Sequence, residues 1–168
     1  MSFFTPLRYP GGKGRLGPWI AELLRHNDIS GGWYIEPYAG GCGAALFLLI
    51  QGYVDRIVIN DADPVIFSFW KAVTEQPNEL IAKIKSTRVS MTTWRAQREI
   101  LTTAAEHSQL DVAFATFFLN RTNRSGILAG GVIGGKSQSG DWKLGARYNK
   151  EDLIERIRVI GKLSKRKN

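Results

Sequence analysis

The alternation of apolar and polar positions divides the chain into short elements. Trp33-Tyr34-Ile35-Glu36 is an aromatic, β-branched run that enters a glycine cluster, and residues 44–51 are apolar and helix-favouring. After a break at Gly52, Arg56-Ile57-Val58-Ile59-Asn60 predicts a second, buried strand, so residues 33–60 spell out a strand–helix–strand unit. Asp63 is suited to cap the next helix, with Pro64 in its first position. Three more helices are expected over 78–87, with Leu80, Ile81 and Ile84 on one face, over 92–103, and over 111–119, whose Phe114, Phe117 and Phe118 form a core-facing stripe. From Arg121 to Tyr148 the periodicity stops and seven glycines fall among Asn, Ser, Lys and Arg, the composition of a long loop or hairpin arm. Asn149 then caps a last helix, with Asp152 three residues on and Leu153, Ile154, Ile157 and Ile160 on its apolar face; Gly161 is expected to weaken its final turn.

The 168 residues are 43% hydrophobic, enough for one core and one domain, and the aromatic content excludes global disorder. The longest apolar run, 44–50, is far short of a bilayer span, and no charged leader precedes an apolar block. The single Cys42 cannot form an internal disulfide, and with His26 and His107 it gives no zinc-ligand spacing. These features lead to the expectation of a cytoplasmic protein without a bound metal or a membrane partner. The net charge of +8 is unevenly placed: residues 1–120 carry 11 basic and 11 acidic side chains, residues 121–168 carry 12 and 4. The excess is an electrostatic footprint for a polyanion, although the stretch 162–167 also reads as a simple solvated tail.

The strongest chemical signal is Glu36-Pro37-Tyr38-Ala39-Gly40-Gly41-Cys42-Gly43, a strand entering a glycine turn at a helix start. Glycines let a ligand approach the backbone there, and the first helical N–H groups favour its polar or anionic parts. Asp61 lies 21 residues beyond Gly40 at the end of the second strand, where a carboxylate can accept hydrogen bonds from a ribose diol. Together they describe a nucleoside cofactor site; separately they could be a tight turn and a helix cap. The dinucleotide fingerprint G-x-G-x-x-G is matched only in degenerate form, which disfavours a nicotinamide cofactor. Glu36 suits the cationic methionine end of S-adenosylmethionine better than a pyrophosphate. Arg8-Tyr9-Pro10-Gly11-Gly12-Lys13-Gly14-Arg15-Leu16 supplies an aromatic face, flexible backbone and cations that could close over a cofactor, or it is a basic terminus. Asn120-Arg121-Thr122-Asn123-Arg124-Ser125-Gly126 offers amide and guanidinium forks for bases or phosphates, with Trp142 and Tyr148 available for stacking; a solvated surface loop is the plainer alternative.

In order along nearly the whole chain, these motifs resemble the Dam-type DNA adenine methyltransferases, which methylate the 6-amino group of adenine. Residues 8–16 look like that family's N-terminal cofactor motif, 34–47 like its E-P-F-x-G-x-G loop, and 57–63 like its acidic strand end. Residues 120–126 look like the L-N-R-x-x-x-x-G segment that opens its DNA-contacting hairpin, and Gly145-Ala146-Arg147-Tyr148 like the return from it. The resemblance implies an α/β, Rossmann-like S-adenosylmethionine-dependent methyltransferase fold with an incomplete sheet. It further implies a single, partial domain over 1–168, with a helical and Gly-rich recognition region over 78–148. S-adenosylmethionine would be held by Tyr9, Lys13, Glu36, Pro37, Tyr38, Gly40, Gly41, Gly43 and Asp61. Double-stranded DNA would be faced by Asn120, Arg121, Asn123, Arg124, Lys136 and Arg147.

One departure is as informative as the match. The family's catalytic Asp-Pro-Pro-Tyr motif, which holds a flipped adenine, is absent: no two of the six prolines are adjacent, and Asp63-Pro64-Val65 precedes the recognition loop. The resemblance therefore implies a cofactor- and DNA-recognition part without its catalytic residues, inactive alone, leaving strand 34–36 with an open apolar edge and needing a complementing fragment or self-association. Two rival readings are a non-catalytic module that binds DNA, S-adenosylmethionine or both, and a nicotinamide-dependent oxidoreductase.

Overall fold

The computed structural model describes residues 4–165, so residues 166 and 167 of the basic tail lie outside the described residues. Its contacts divide into two compact units. Gly11–Ala62 build the first, whereas Pro6–Pro10 join Asp63 onward in the second.

The first unit is the expected strand–helix–strand. A 3₁₀ turn, Lys13–Leu16, leads into α1, Gly17–His26. Then come β1, Trp33–Glu36, α2, Gly43–Ile50, and β2, Arg56–Ile59. The two strands pair in parallel, with Tyr34 opposite Ile57 and Ile35 opposite Val58. A cluster of Ala21, Leu48 and Val54 gathers Ile20, Leu24, Tyr34, Phe47 and Ile57, so α1 and α2 cover the face that carries Tyr34 and Ile57. The alternate positions Trp33, Ile35 and Val58 are 61%, 62% and 40% exposed, which corrects the expectation that residues 56–60 form a buried strand. A strand is buried on both faces only when layers pack on both, and here one face is covered. Helix α1 has no counterpart among the predicted elements; its signals are Pro18 in the first turn and Ile20, Ala21 and Leu24 along one face.

The second unit is helical. Asp63 caps α3, Pro64–Glu75, by accepting the Val65 N–H at 3.0 Å, as its position predicts. It is followed by α4, Pro77–Ser86, α5, Met91–Thr102, α6, Gln109–Thr122, and α7, Lys150–Ser164. Helix α6 is the centre. Every residue from Val112 to Thr122 is buried, not merely the Phe114–Phe117–Phe118 stripe, because α3 and α5 both pack on it. Phe69 of α3 stacks on Phe117 at 6.2 Å and 7°, and Tyr148 meets the edges of Phe117 and Phe118 at 5.5 Å. Asn149 caps α7 through the Asp152 N–H, as expected. Gly161 lies inside that helix, which runs on to Ser164. It is buried, and a Cβ there would lie 2.7 Å from Pro77 Cβ, so its small size lets α7 pack closely on α4.

Between α6 and α7 the chain has no regular strand. A single antiparallel bridge pairs Asn123 with Val132, and Gln138 organises the rest. Its side-chain amide donates to the carbonyls of Ile133 and Gly135 at 2.7 Å, and its carbonyl oxygen accepts the Leu144 N–H at 2.7 Å. The predicted loop is thus ordered by polar side chains, Asn123 at its start and Gln138 across 133–144. The 78–148 region falls entirely within this second unit.

Candidate cofactor and nucleic-acid sites

In the first unit, both strands end in a carboxylate that is engaged with the glycine loop. Glu36, 3% exposed, accepts the Ala45 N–H near the start of α2 through Oε2 at 3.1 Å. Its Oε1 faces Lys13 Nζ at 3.0 Å, an ion pair whose approach angle is not that of a hydrogen bond. Lys13 Nζ also donates to the Tyr38 carbonyl at 2.5 Å, tying the N-terminal 3₁₀ turn to the loop. Asp61 Oδ2 accepts the Gly40 N–H at 2.7 Å, and the Ala39 N–H donates to Asn60 O at 2.8 Å. The loop is therefore held from both strand ends.

The spacing of glycines has a steric cause here. A Cβ on Gly43 would lie 2.7 Å from Gly14 Cα, so two backbones touch where the 3₁₀ turn meets α2. Gly40 and Gly41 are buried beneath the loop, while Pro37 and Tyr38 project to solvent, Tyr38 at 72%. Cys42 takes a left-handed conformation at φ 53° immediately before α2 and is buried; burial and the nearby Glu36 carboxylate push its thiol pKa far up, which makes it a poor nucleophile. Of the nine residues expected to hold a cofactor, Lys13, Glu36, Pro37, Tyr38, Gly40, Gly41, Gly43 and Asp61 lie in this unit. Tyr9, 42% exposed, belongs with residues 6–10 of the second.

In the second unit, the expected DNA residues separate into two groups. Asn120, Arg121 and Asn123 do not present their polar groups to solvent, contrary to expectation. Asn120 accepts the Arg8 N–H and donates to the carbonyls of Arg8 and Gly126. Arg121 Nε donates to Pro6 O at 2.7 Å. Asn123 donates to the carbonyls of Ile127 and Leu128 and accepts the Trp94 indole N–H at 2.7 Å. The physical reason is that α6 runs on through Thr122, carrying the first two into the core, where each polar atom needs an internal partner. Gly126 completes the arrangement: at φ 76°, with the Arg8 carbonyl 2.2 Å from where a Cβ would lie, no side chain fits.

Arg124, Lys136 and Arg147 are exposed. Arg124 and Arg147 line a pocket of about 290 Å³ with Arg8, Ser125, Ile133, Gly134, Trp142 and Ala146; Lys136 is not part of it. Arg147 lies over the Trp142 ring at 5.5 Å. Sequence reasoning missed Arg8 as a partner of this loop and Gln138 as its organiser. The sequence holds no signal for either, because both roles depend on which backbone groups the tertiary fold brings near. Burial and the neighbouring cations Arg156 and Arg8 lower the Arg121 pKa to about 10, and burial raises that of Tyr148.

Among the described residues, no cluster of three or more His, Cys, Asp or Glu could hold a metal ion, and no helix is long and apolar enough to cross a membrane.

The comparisons with known proteins give the family of the chain. Residues 9–162 match the family described as D12 class N6 adenine-specific DNA methyltransferases, and the chain belongs to that family. It is 34% identical over 85 residues to the type II methyltransferase M.MjaIII of Methanocaldococcus jannaschii, an alignment that covers 49% of this chain and 29% of that protein. The matched stretch spans less than a third of the length of this curated relative.

Proposed function

We propose that this chain is a cofactor- and DNA-binding part of an adenine-N6 DNA methyltransferase with a Rossmann-like first unit, in which S-adenosylmethionine lies at the carboxyl ends of β1 and β2. The observation that carries this reading is the pair of strand-end carboxylates, Glu36 and Asp61, each hydrogen-bonded to the backbone of the segment 40–45. In open α/β sheets, ligands bind outside the carboxyl ends of the strands.

The donor set fits that cofactor. Glu36 is a buried carboxylate at the carboxyl end of β1, its oxygens facing the Ala45 N–H and the Lys13 ammonium. Gly43 lets the 3₁₀ turn close on the start of α2, and Tyr38 offers an exposed ring beside the loop. When bound, S-adenosylmethionine supplies an electrophilic methyl group. The chain's own contribution is to hold and orient: Lys13 fixes the Tyr38 carbonyl, Asp61 fixes Gly40, and Ala45 aligns Glu36. Of the residues expected to face DNA, Arg124, Arg147 and Lys136 are the exposed cations, while Asn120, Arg121 and Asn123 position the loop that carries them.

Asp-Pro-Pro-Tyr is absent from residues 1–168, and the adenine amine is a weak nucleophile because its lone pair is delocalised into the ring. Without acceptors on its N–H bonds, proximity to a methyl donor supplies little rate. The 168-residue chain alone therefore binds cofactor without transferring its methyl group, and a polypeptide carrying the acceptor-orienting motif would complete it.

Titration calorimetry with S-adenosylmethionine, paired with tritium transfer to adenine-containing duplex DNA, tests both statements. Saturable binding with no incorporation is expected. Absence of binding overturns the cofactor site, and clear incorporation overturns the dependence on residues elsewhere.

A further inference from the structure

The chain passes from one unit to the other at Pro10–Gly11 and again at Ala62–Asp63, and each of these crossings lies beside a residue that grips the glycine loop. At the later crossing, Asp61 holds the Gly40 N–H at 2.7 Å and Asp63 caps α3. At the earlier one, Lys13 donates to the Tyr38 carbonyl at 2.5 Å and pairs with Glu36 at 3.0 Å, while Arg8 is seated in the second unit. Residues 9–12 are thus a short span with both ends tied.

Both ties act on the backbone. Asn120 accepts the Arg8 N–H and donates to the Arg8 carbonyl, each at 2.7 Å, and the same amide nitrogen donates to Gly126 O at 2.9 Å. Any side chain on Gly126 would strike the Arg8 carbonyl, so the turn Arg124–Gly126 rests directly on residue 8. At the other end, a Cβ on Gly43 would lie 2.7 Å from Gly14 Cα, so the start of α2 rests on residue 14 in the same way.

The span between these seats has few restraints of its own. Residues 9–12 are exposed, Gly11 is left-handed at φ 70°, and a Cβ there would meet nothing within 4 Å. A pair of glycines carries the most conformational freedom and costs the most to order. A chain reaches at most about 3.3–3.6 Å per residue, so a span this short does not let its two ends move independently.

We propose that residues 8–14 are a strap that couples the two units. A ligand that fixes the glycine loop through Lys13 steadies the seat of Arg8 and the turn that carries Arg124, and a ligand on that turn steadies the glycine loop. Whichever binds first orders the strap and relieves the second of that cost, so the coupling is favourable, and for equilibrium affinities it is equal in both directions. The identity of the two ligands, S-adenosylmethionine and duplex DNA, rests on the function proposed above; the strap does not.

Two measurements on the full chain test this, each repeated with Gly-Ser-Gly-Ser inserted between Gly11 and Gly12 to slacken the strap. The first needs no ligand. Amide exchange is followed by NMR at Gly40 and Ala45, whose N–H groups are held by Asp61 and Glu36. Gly126→Ala, which displaces the Arg8 carbonyl, is expected to speed both several-fold, and to leave both unchanged in the slackened chain. Thermal melting shows whether that variant folds. Gly43→Ala, read at the Arg8 N–H, probes the same strap from its other end and replaces a variant that does not. The second measurement is calorimetric titration of S-adenosylmethionine with and without a saturating short duplex. The duplex is expected to tighten binding about five-fold, and in the slackened chain that factor should fall to about one while each ligand alone binds within about two-fold of the parent.

Unchanged exchange in a folded variant, an equal response with and without the insertion, or independent binding of the two ligands by the parent overturns the proposal. A parent that binds no S-adenosylmethionine, yet shows an exchange response that the insertion abolishes, sinks the proposed function and leaves the strap standing.

Discussion

Asp61 Oδ2 accepts the backbone N–H of Gly40 at 2.7 Å, closing a span of 21 residues that begins in the glycine loop and returns at the end of β2. The carboxylate that the spacing marks as a ribose acceptor is therefore also a strut of the loop that would receive the ligand. Asp61→Ala removes the strut and the acceptor together and should cost about 1–3 kcal/mol of S-adenosylmethionine affinity. Asp61→Asn keeps an oxygen for Gly40 and should lose less. Calorimetric titration of the two variants checks this ordering, and parental affinity in Asp61→Ala would remove the residue from the site.

Gly14 and Gly43 face one another but are not equivalent. A Cβ on Gly43 would lie 2.7 Å from Gly14 Cα and 3.0 Å from Gly14 N, whereas one on Gly14 would lie 3.7 Å from Gly43 Cα, an ordinary contact. Gly43→Ala should therefore destabilise the chain by about 1–3 kcal/mol, as backbone has to move to admit the methyl group. Gly14→Ala should be close to neutral. Urea denaturation of the two variants measures the asymmetry; equal midpoints would mean that the turn and α2 separate at no cost.

Asn120 satisfies three backbone groups: the N–H and carbonyl of Arg8, both at 2.7 Å, and the carbonyl of Gly126 at 2.9 Å. Its replacement by Ala should cost about 2–4 kcal/mol of stability by leaving these buried groups unmatched. Because Asn120 is 1% exposed, any loss of DNA affinity should follow the loss of fold and recover on cooling. A fully folded Asn120→Ala chain with a specific loss of DNA binding would instead return this residue to the nucleic-acid surface.

Asp111 sits near the start of α6, hydrogen-bonded to Lys83 of α4 and to the capping Ser108 at 2.5 Å, and these two bonds hold its carboxyl below the usual carboxylate range. With a folded-state pKa under the unfolded value of about 3.9, the ionised form favours the folded chain. That contribution is complete above the unfolded value and disappears as pH falls through the folded one. Both side chains are about one-third exposed, so the pair is worth at most about 1 kcal/mol. Asp111→Asn should lower stability at neutral pH by that amount, and its denaturation midpoint should converge on the parent's as the solution is acidified. A constant difference across the acid limb would show that lost packing or capping, not charge, is responsible.

What the sequence makes legible is what is encoded locally. The caps at Asp63 and Asn149 were readable because an N-cap bonds to a residue two or three positions on. The strand–helix–strand unit was readable from Trp33 to Ile59 because β-branched runs and a glycine turn carry their own conformational preference. The interior placement of Asn120 and Arg121 was not, because their partners are Arg8 and Pro6, more than a hundred residues away, and an Asn-Arg pair has the same composition whether it meets a phosphate or a buried carbonyl. The extent of α6 was hidden for a related reason: its last turn is polar in sequence, and only the docked N-terminal segment supplies the partners that let it remain helical inside the core. Gln138 gives no local sign of its role, since its three partners are set by the path of a loop without periodicity.

The membership of Pro6–Pro10 in the second unit bears on the order of events during synthesis. Arg8 leaves the ribosome 112 residues ahead of Asn120. At about 5–20 residues per second, the nascent strand waits roughly 6–20 s before its cradle exists. The helical unit thus cannot assemble on the N-terminal-first schedule usual for domains. Residues 6–10 can be seated only once α6 has emerged, so a ribosome that stalls before α6 leaves them without their partners Asn120 and Arg121.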